Sequence, residues 1–214
     1  MNRIELEQTL PVVFAQRTDI QSDIWLRSVT LERGHLYLVE AGSGTGKTSL
    51  CSYLIGHRSD YTGKILYDGR DIRSFGPAEW VQMRCSSLSS LFQDLRLFPE
   101  LSARENVEIK NNLTHFKSKQ QVEEMFEQLG IADKIDVPVR LMSFGQQQRV
   151  ALIRALAQPF DFLLADEPTS HLDDANAQAM ANLLMQEVGA QGASLVVTSI
   201  GKHPSLPYET IYRL

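Results

Sequence analysis

One eight-residue run constrains this chain more than any other feature: Ala41-Gly42-Ser43-Gly44-Thr45-Gly46-Lys47-Thr48. Its glycines let the backbone turn so that successive N–H groups point inward, which makes a cradle for phosphate oxygens. Leu36 to Glu40 before it reads as a strand, and about Lys47 to Ile55 after it reads as a helix stopped by Gly56. That helix adds its N-terminal amides and the positive end of its dipole. In such a loop Gly42, Ser43, Gly44, Thr45, Gly46 and Ser49 surround the phosphates, Lys47 reaches the β- and γ-phosphates, and the Thr48 hydroxyl ligates Mg²⁺. A chance glycine-rich turn of this pattern arises in roughly one or two chains of this length in a hundred, and the flanking strand and helix lower that further. Ala41 stands in the first glycine slot; a positive φ there would cost its methyl about 1 kcal/mol.

The rest of the chain alternates short apolar runs with amphipathic helical patterns, which predicts an α/β fold. Lys64 to Tyr67 reads as a strand closed by an Asp68-Gly69 turn, and Phe162 to Ala165 and Ser194 to Thr198 as buried strands. Ser118 and Gln121 form a capping box before the helix of Val122, Met125, Phe126 and Leu129, and Met180, Leu183, Leu184 and Val188 mark another helix. Residues 93–160 lack strand-like runs and read as a helical insert between the core segments 1–92 and 161–214.

A second chemical element follows the strand Phe162 to Ala165: Asp166 and Glu167, at the carboxyl edge where open α/β sheets place ligands. Alone, two acids before Pro168 are an ordinary strand cap. Joined to a phosphate loop they acquire roles, Asp166 toward Mg²⁺ through water and Glu167 as acceptor of the attacking water's proton.

Composition excludes other classes. Twenty-one Lys and Arg against 26 Asp and Glu leave a net charge of −5, which argues against a nucleic-acid partner. No apolar run approaches the roughly 20 residues of a spanning helix. The acidic N-terminus does not read as an export signal, so Cys51 and Cys85 are expected as free thiols, Cys51 as an apolar filler. His57 reads as a solvated helix end, His171 as a loop residue and Trp25 as a packed strand residue.

Between the two elements lies Met142-Ser143-Phe144-Gly145-Gln146-Gln147-Gln148-Arg149-Val150-Ala151, beginning its Ser143 23 residues before Asp166. Here the chain resembles the ATP-binding cassette (ABC) ATPases, whose signature is Leu-Ser-Gly-Gly-Gln. Leu91-Phe92-Gln93 resembles their Q-loop, and Ser170-His171-Leu172-Asp173 their D-loop. The resemblance covers nearly the whole chain. It implies a phosphate-loop NTPase core of RecA type, an antiparallel β subdomain and an inserted helical subdomain. It also implies ATP and Mg²⁺ as ligands and two subunits stacked head to tail, a homodimer or a pair with a second cassette. Ser143, Gly145 and Gln146 would then face the partner's ATP, Gln93 would touch Mg²⁺ and the attacking water, and Asp173 would work across the interface. The implied function is ATP hydrolysis coupled to a membrane permease, from the cytoplasmic face of the membrane. The run from Pro77 to Val107 is similar to the lipoprotein-releasing, macrolide-exporting and FtsE-type subgroup. A soluble repair or translation ATPase of the family would need a coiled-coil insert, tandem cassettes or a basic surface, none of which is visible.

Two positions depart from the family pattern. Phe144 replaces the first signature glycine, and Ser199 replaces the histidine that contacts the γ-phosphate. Both favour slow hydrolysis, or a clamp that binds ATP and hydrolyses it weakly; His203 is a candidate substitute. No aromatic falls where the family stacks adenine, a window held by Thr18 and its neighbours, which leaves Phe14 and Trp25 as alternatives.

Overall fold

The continuous apolar runs become a parallel sheet covered on both faces. The computed structural model describes residues 1–42 and 44–214. The sheet contains β3 (Leu36–Glu40), β6 (Leu88–Leu91), β7 (Phe162–Asp166), β8 (Ser194–Ser199) and β9 (Thr210–Arg213) in the order β6-β7-β8-β3-β9. Every residue of β7 and β8 is buried, the pattern expected of central strands with helices or sheet on either side.

Alternation of side chains sorts these strands between two cores. Leu36, Leu38, Leu163, Ala165, Leu195 and Val197 join the helices α3 (Ala103–Asn111), α4 (Lys119–Gln128), α5 (Phe144–Leu156) and α6 (Asp174–Gln191). Tyr37, Val39, Phe162, Leu164 and Val196 join α1 (Lys47–Leu54) and a second, antiparallel sheet. That sheet has the order β2-β1-β4-β5, from β1 (Arg3–Pro11), β2 (Ser28–Glu32), β4 (Tyr61–Tyr67) and β5 (Arg70–Asp71). Helix α2 (Pro77–Ser86) follows it.

The strand expected at Lys64 begins earlier, at Tyr61, because it pairs along β1 as far as Pro11. Residues 93–160 hold helices and 3₁₀ turns but no strand, and the Ser118–Gln121 capping box caps α4 as read. Trp25 is buried but lies in a turn, not a strand. Among the described residues no helix is long and apolar enough to cross a membrane.

Register brings three strand ends together. Asp166 of β7 pairs with Thr198 of β8, and Ser199 pairs with Glu40 of β3, immediately before the glycine-rich loop. The phosphate loop, the acidic pair and the Thr198-Ser199 end therefore share one edge of the sheet.

One buried ion pair ties the α3–α4 connection to α6. Lys117 Nζ lies 2.6 Å from Glu187 Oε2, with side chains 9% and 6% exposed. Removing one partner strands a buried charge. Glu187→Ala is expected to cost about 3 kcal/mol in urea denaturation, and adding Lys117→Met should restore most of it.

Candidate nucleotide site

Gly46 is the residue the loop cannot exchange. It precedes α1 with φ +98°, and a Cβ there would sit 2.9 Å from Phe14 Cε2 and 3.2 Å from Trp25 Cζ2. Trp25 Nε1 donates to the Thr45 carbonyl at 2.9 Å, and Thr45 Oγ1 donates to the Gly42 carbonyl at 2.9 Å. Ala41 is absent from the residues of positive φ, so its methyl carries no conformational cost; its amide donates to the Ser199 carbonyl at 2.9 Å. The first turn of α1 has neither a side-chain cap nor an acidic residue, which leaves its amides to an anion. Ser43 lies outside the described residues. Ser49 accepts a hydrogen bond from Arg58 Nη1 at 3.1 Å.

The acidic strand end meets α1 through Lys47, which is 5% exposed. Its ammonium bonds the Glu167 carboxylate and lies 3.7 Å from Asp166 Oδ1. Burial pushes the Lys47 pKa down, with Asp166 opposing. Asp166 also accepts from the Thr198 hydroxyl. Glu167 adopts φ +50°, a left-handed conformation that costs a side-chain-bearing residue about 1–2 kcal/mol. Its amide is anchored to the Thr198 carbonyl at 3.0 Å, so the strain is held in place by the neighbouring strand.

Thr48, Gln93 and Asp166 line one cleft of about 230 Å³, together with Cys51 and Phe92. Three oxygen-bearing side chains around one space suit Mg²⁺, a hard cation that takes a few protein oxygens and keeps several waters. Cys51 and Cys85 are free; burial pushes the Cys51 thiol up. A second cleft, of about 380 Å³, adjoins Thr45 and is lined by Phe14, Arg17, Ile20, Trp25 and Leu214. The Arg17 guanidinium lies 4.3 Å above the Phe14 ring.

The signature residues lie elsewhere. Ser143 caps α5 in a capping box: its hydroxyl accepts from the Gln146 amide at 3.3 Å, and Gln146 Oε1 accepts from the Ser143 amide at 2.9 Å. Gln146 is thereby engaged locally. Gly145 is closely approached by the segment leading into α6, since a Cβ would sit 3.1 Å from Leu172 Cδ2 and press on that side chain. Asp173 caps α6 through the Asn176 amide at 2.9 Å, which holds its carboxyl below the usual range. None of these hydrogen bonds reaches the phosphate loop.

Three residues that spacing did not single out connect the parts. Gln148, 2% exposed, donates from α5 to the carbonyls of Glu167 at 3.1 Å and Pro168 at 2.7 Å. Thr198 holds Asp166, and Lys202 Nζ donates to the Leu172 carbonyl at 2.8 Å. Gln148 stood within the signature run, and Thr198 immediately before Ser199; no pattern pointed to Lys202. The loop has its own test. Gly46→Ala combines a left-handed φ with a 2.9 Å clash and should lower stability by about 2 kcal/mol or more. Gly44→Ala, with open space around it at φ +76°, should cost only about 1 kcal/mol; thermal denaturation of both variants measures the difference.

Similarity to known proteins agrees with this geometry. The ABC transporter family profile matches residues 27–170. The chain is 32% identical over 173 residues to the ABC transporter ATP-binding protein YtrE of Bacillus subtilis, covering 79% of this chain and 75% of that one. It is 32% identical over 176 residues to the lipoprotein-releasing system ATP-binding protein LolD of Aquifex aeolicus, covering 80% and 78%. It is 31% identical to the macrolide export ATP-binding/permease protein MacB of a Shewanella strain, covering 80% of this chain but 27% of that protein. The fold matches the dimeric ATP-binding cassette MJ0796 bound to ADP and Pi with TM-score 0.75 at 24% identity, covering 92% and 87%. The chain belongs to the ABC transporter family, as one of its ATP-binding cassettes.

Proposed function

We propose that this cassette binds and hydrolyses MgATP and that ATP-driven pairing of two cassettes transmits work to a membrane permease. The observation that carries this reading is the Lys47 ammonium set between Asp166 and Glu167 at the edge shared with the phosphate loop. Lys47 exchanges its carboxylate contact for the β- and γ-phosphates. Thr48, Gln93 and Asp166 hold Mg²⁺, which when bound neutralises phosphate charge. Released from Lys47, the Glu167 carboxylate accepts the proton of the attacking water. The cleft of Phe14, Arg17 and Trp25 beside Thr45 takes the adenine, with its rings and guanidinium in the place of the family's aromatic platform. Ser143 and Gly145, at the N-terminus of α5, present amides to the ATP of a second cassette, and Asp173 lies at that same interface.

The permease reading draws on the relatives. The macrolide export protein's name joins ATP-binding and permease functions in one chain, of which this cassette corresponds to 27%. A permease would hold this cassette at the cytoplasmic face of a membrane, with residues 93–160 and Gln93 between permease and nucleotide. Hydrolysis is slow unless a group outside this strand end supplies the donor that the family places at position 199. Ser199 is fully buried, and its Oγ donates to the Lys202 carbonyl at 2.8 Å and accepts from the Gly201 amide at 3.1 Å. Position 199 thus offers the γ-phosphate no donor, a loss worth about a hundredfold in rate. This same feature favours the alternative of an ATP-dependent clamp with weak turnover.

MgATP at about 100 times its Kd should stabilise the protein by about 2.7 kcal/mol; Lys47→Ala should abolish most of that shift, and a shift equal to the parent's would refute the phosphate-loop role. Glu167→Gln keeps the shape of the site but loses the proton acceptor. It should bind ATP and accumulate as an ATP-dependent dimer in size-exclusion chromatography, whereas normal turnover by this variant would place the base elsewhere.

A further inference from the structure

The chain has five histidines; three have ring contacts elsewhere, and a fourth lies in the turn after α3. His35 bonds Glu209 at the amino end of β3. His57 lies parallel to Phe92 at 5.7 Å, with Nδ1 3.2 Å from Arg96. His115 sits in the turn that closes α3, its amide bonded to the Asn111 carbonyl. His203, the candidate substitute for position 199, has Nδ1 3.0 Å from the Pro204 carbonyl and its ring edge-on to Tyr208 at 5.4 Å.

His171 is placed differently. It is exposed, and its ring meets Phe144, the first residue of α5, edge-on at 4.5 Å and 68°. Ser170 Oγ lies 2.8 Å from its Nδ1 and also 3.2 Å from the Glu167 carbonyl. With the Ser170 hydroxyl donating to Nδ1, the shorter of its two contacts, the neutral ring carries its proton on Nε2, which has no hydrogen-bond partner among the described residues. Phe144, 44% exposed, is the residue that replaces a signature glycine, and here it buttresses an imidazole beside the Ser143 cap. The two departures from the family pattern are therefore complementary: one removes a histidine from the strand end, and the other supports a histidine on the signature face.

We propose that His171 donates a hydrogen bond to the γ-phosphate of the ATP held by a second copy of this chain, replacing in trans the donor missing at position 199. This rests on the reading above that ATP lies between two cassettes. In the reaction the water oxygen bonds to Pγ, Glu167 takes the water's proton, and the Pγ–O bond to ADP breaks with its electron pair leaving on ADP. His171 keeps its proton throughout and supplies only the hydrogen bond. Phe144 acts as a positioning residue for that ring.

Mixed dimers test the assignment by single-turnover hydrolysis of radiolabelled ATP. His171→Ala alone should retain its MgATP thermal shift yet hydrolyse about a hundredfold more slowly, with His171→Gln recovering part of the rate through its N–H donors. An equimolar mixture of His171→Ala and Glu167→Gln chains should regain hydrolysis, because one site then combines an intact Glu167 with His171 from the other chain. The parent mixed with excess double variant His171→Ala/Glu167→Gln should lose it. The reverse pattern would mean that His171 acts within its own chain. A His171→Ala rate equal to the parent's, or a parent with no single-turnover hydrolysis, would also overturn the proposal. Failure of Glu167→Gln to dimerise with ATP would refute the paired-cassette reading itself; dimerisation with the wrong mixing pattern would refute only the role of His171.

Discussion

The contact of the Lys47 ammonium with the Asp166 and Glu167 carboxylates is the interaction around which the rest of this cassette is arranged. A buried cation is tolerated only where opposite charge and hydrogen bonds meet it. Here the anions come from the carboxyl end of β7 and the residue after it, and the cation from the first turn of α1, so the cluster joins a central strand to the helix that follows the loop. Parallel pairing of β7 with β8 and of β8 with β3 sets the three carboxyl ends level. The apolar runs of those strands, buried on both faces, keep the ends from shifting.

The cluster is also linked outward. Thr198 bonds Asp166, the Glu167 amide is held by the Thr198 carbonyl, and the Glu167 and Pro168 carbonyls accept from Gln148 of α5. Lys202 binds the carbonyl of Leu172, next to Asp173. A change in charge at Lys47 therefore bears, through at most a few hydrogen bonds, on the helix that carries Ser143 and on the segment that carries His171 and Asp173. On the proposed function, this connected polar network lies between the nucleotide and the surface that would meet a second cassette.

Much of this was legible in the sequence because it resides in local pattern. The glycine spacing from Gly42 to Gly46 with Lys47, the all-apolar run before Asp166, and the Ser-x-x-Gln capping box of α4 each specify their geometry within a few residues. The antiparallel sheet was not readable at residue level. Its strands β1 and β2 alternate polar and apolar residues instead of forming continuous apolar runs, and the pairing of β1 with β2 and with β4 is set by contacts distant in sequence. Trp25 looked like a strand residue because it lies in the apolar run Ile24-Trp25-Leu26, yet it sits in a turn and its indole N–H donates to the Thr45 carbonyl. The penalty considered for Ala41 depended on a backbone angle that residue type alone does not determine. The contact of Phe144 with His171 joins residues 27 positions apart, and a pattern of single residues carries no information about it.

Equilibrium dialysis against radiolabelled ATP, with and without Mg²⁺, tests most directly whether the Lys47–Asp166–Glu167 cluster is a nucleotide site. The account predicts saturable binding of one ATP per chain, weakened when EDTA removes Mg²⁺ and displaced by ADP. Absence of saturable binding, or binding indifferent to Mg²⁺, would contradict it.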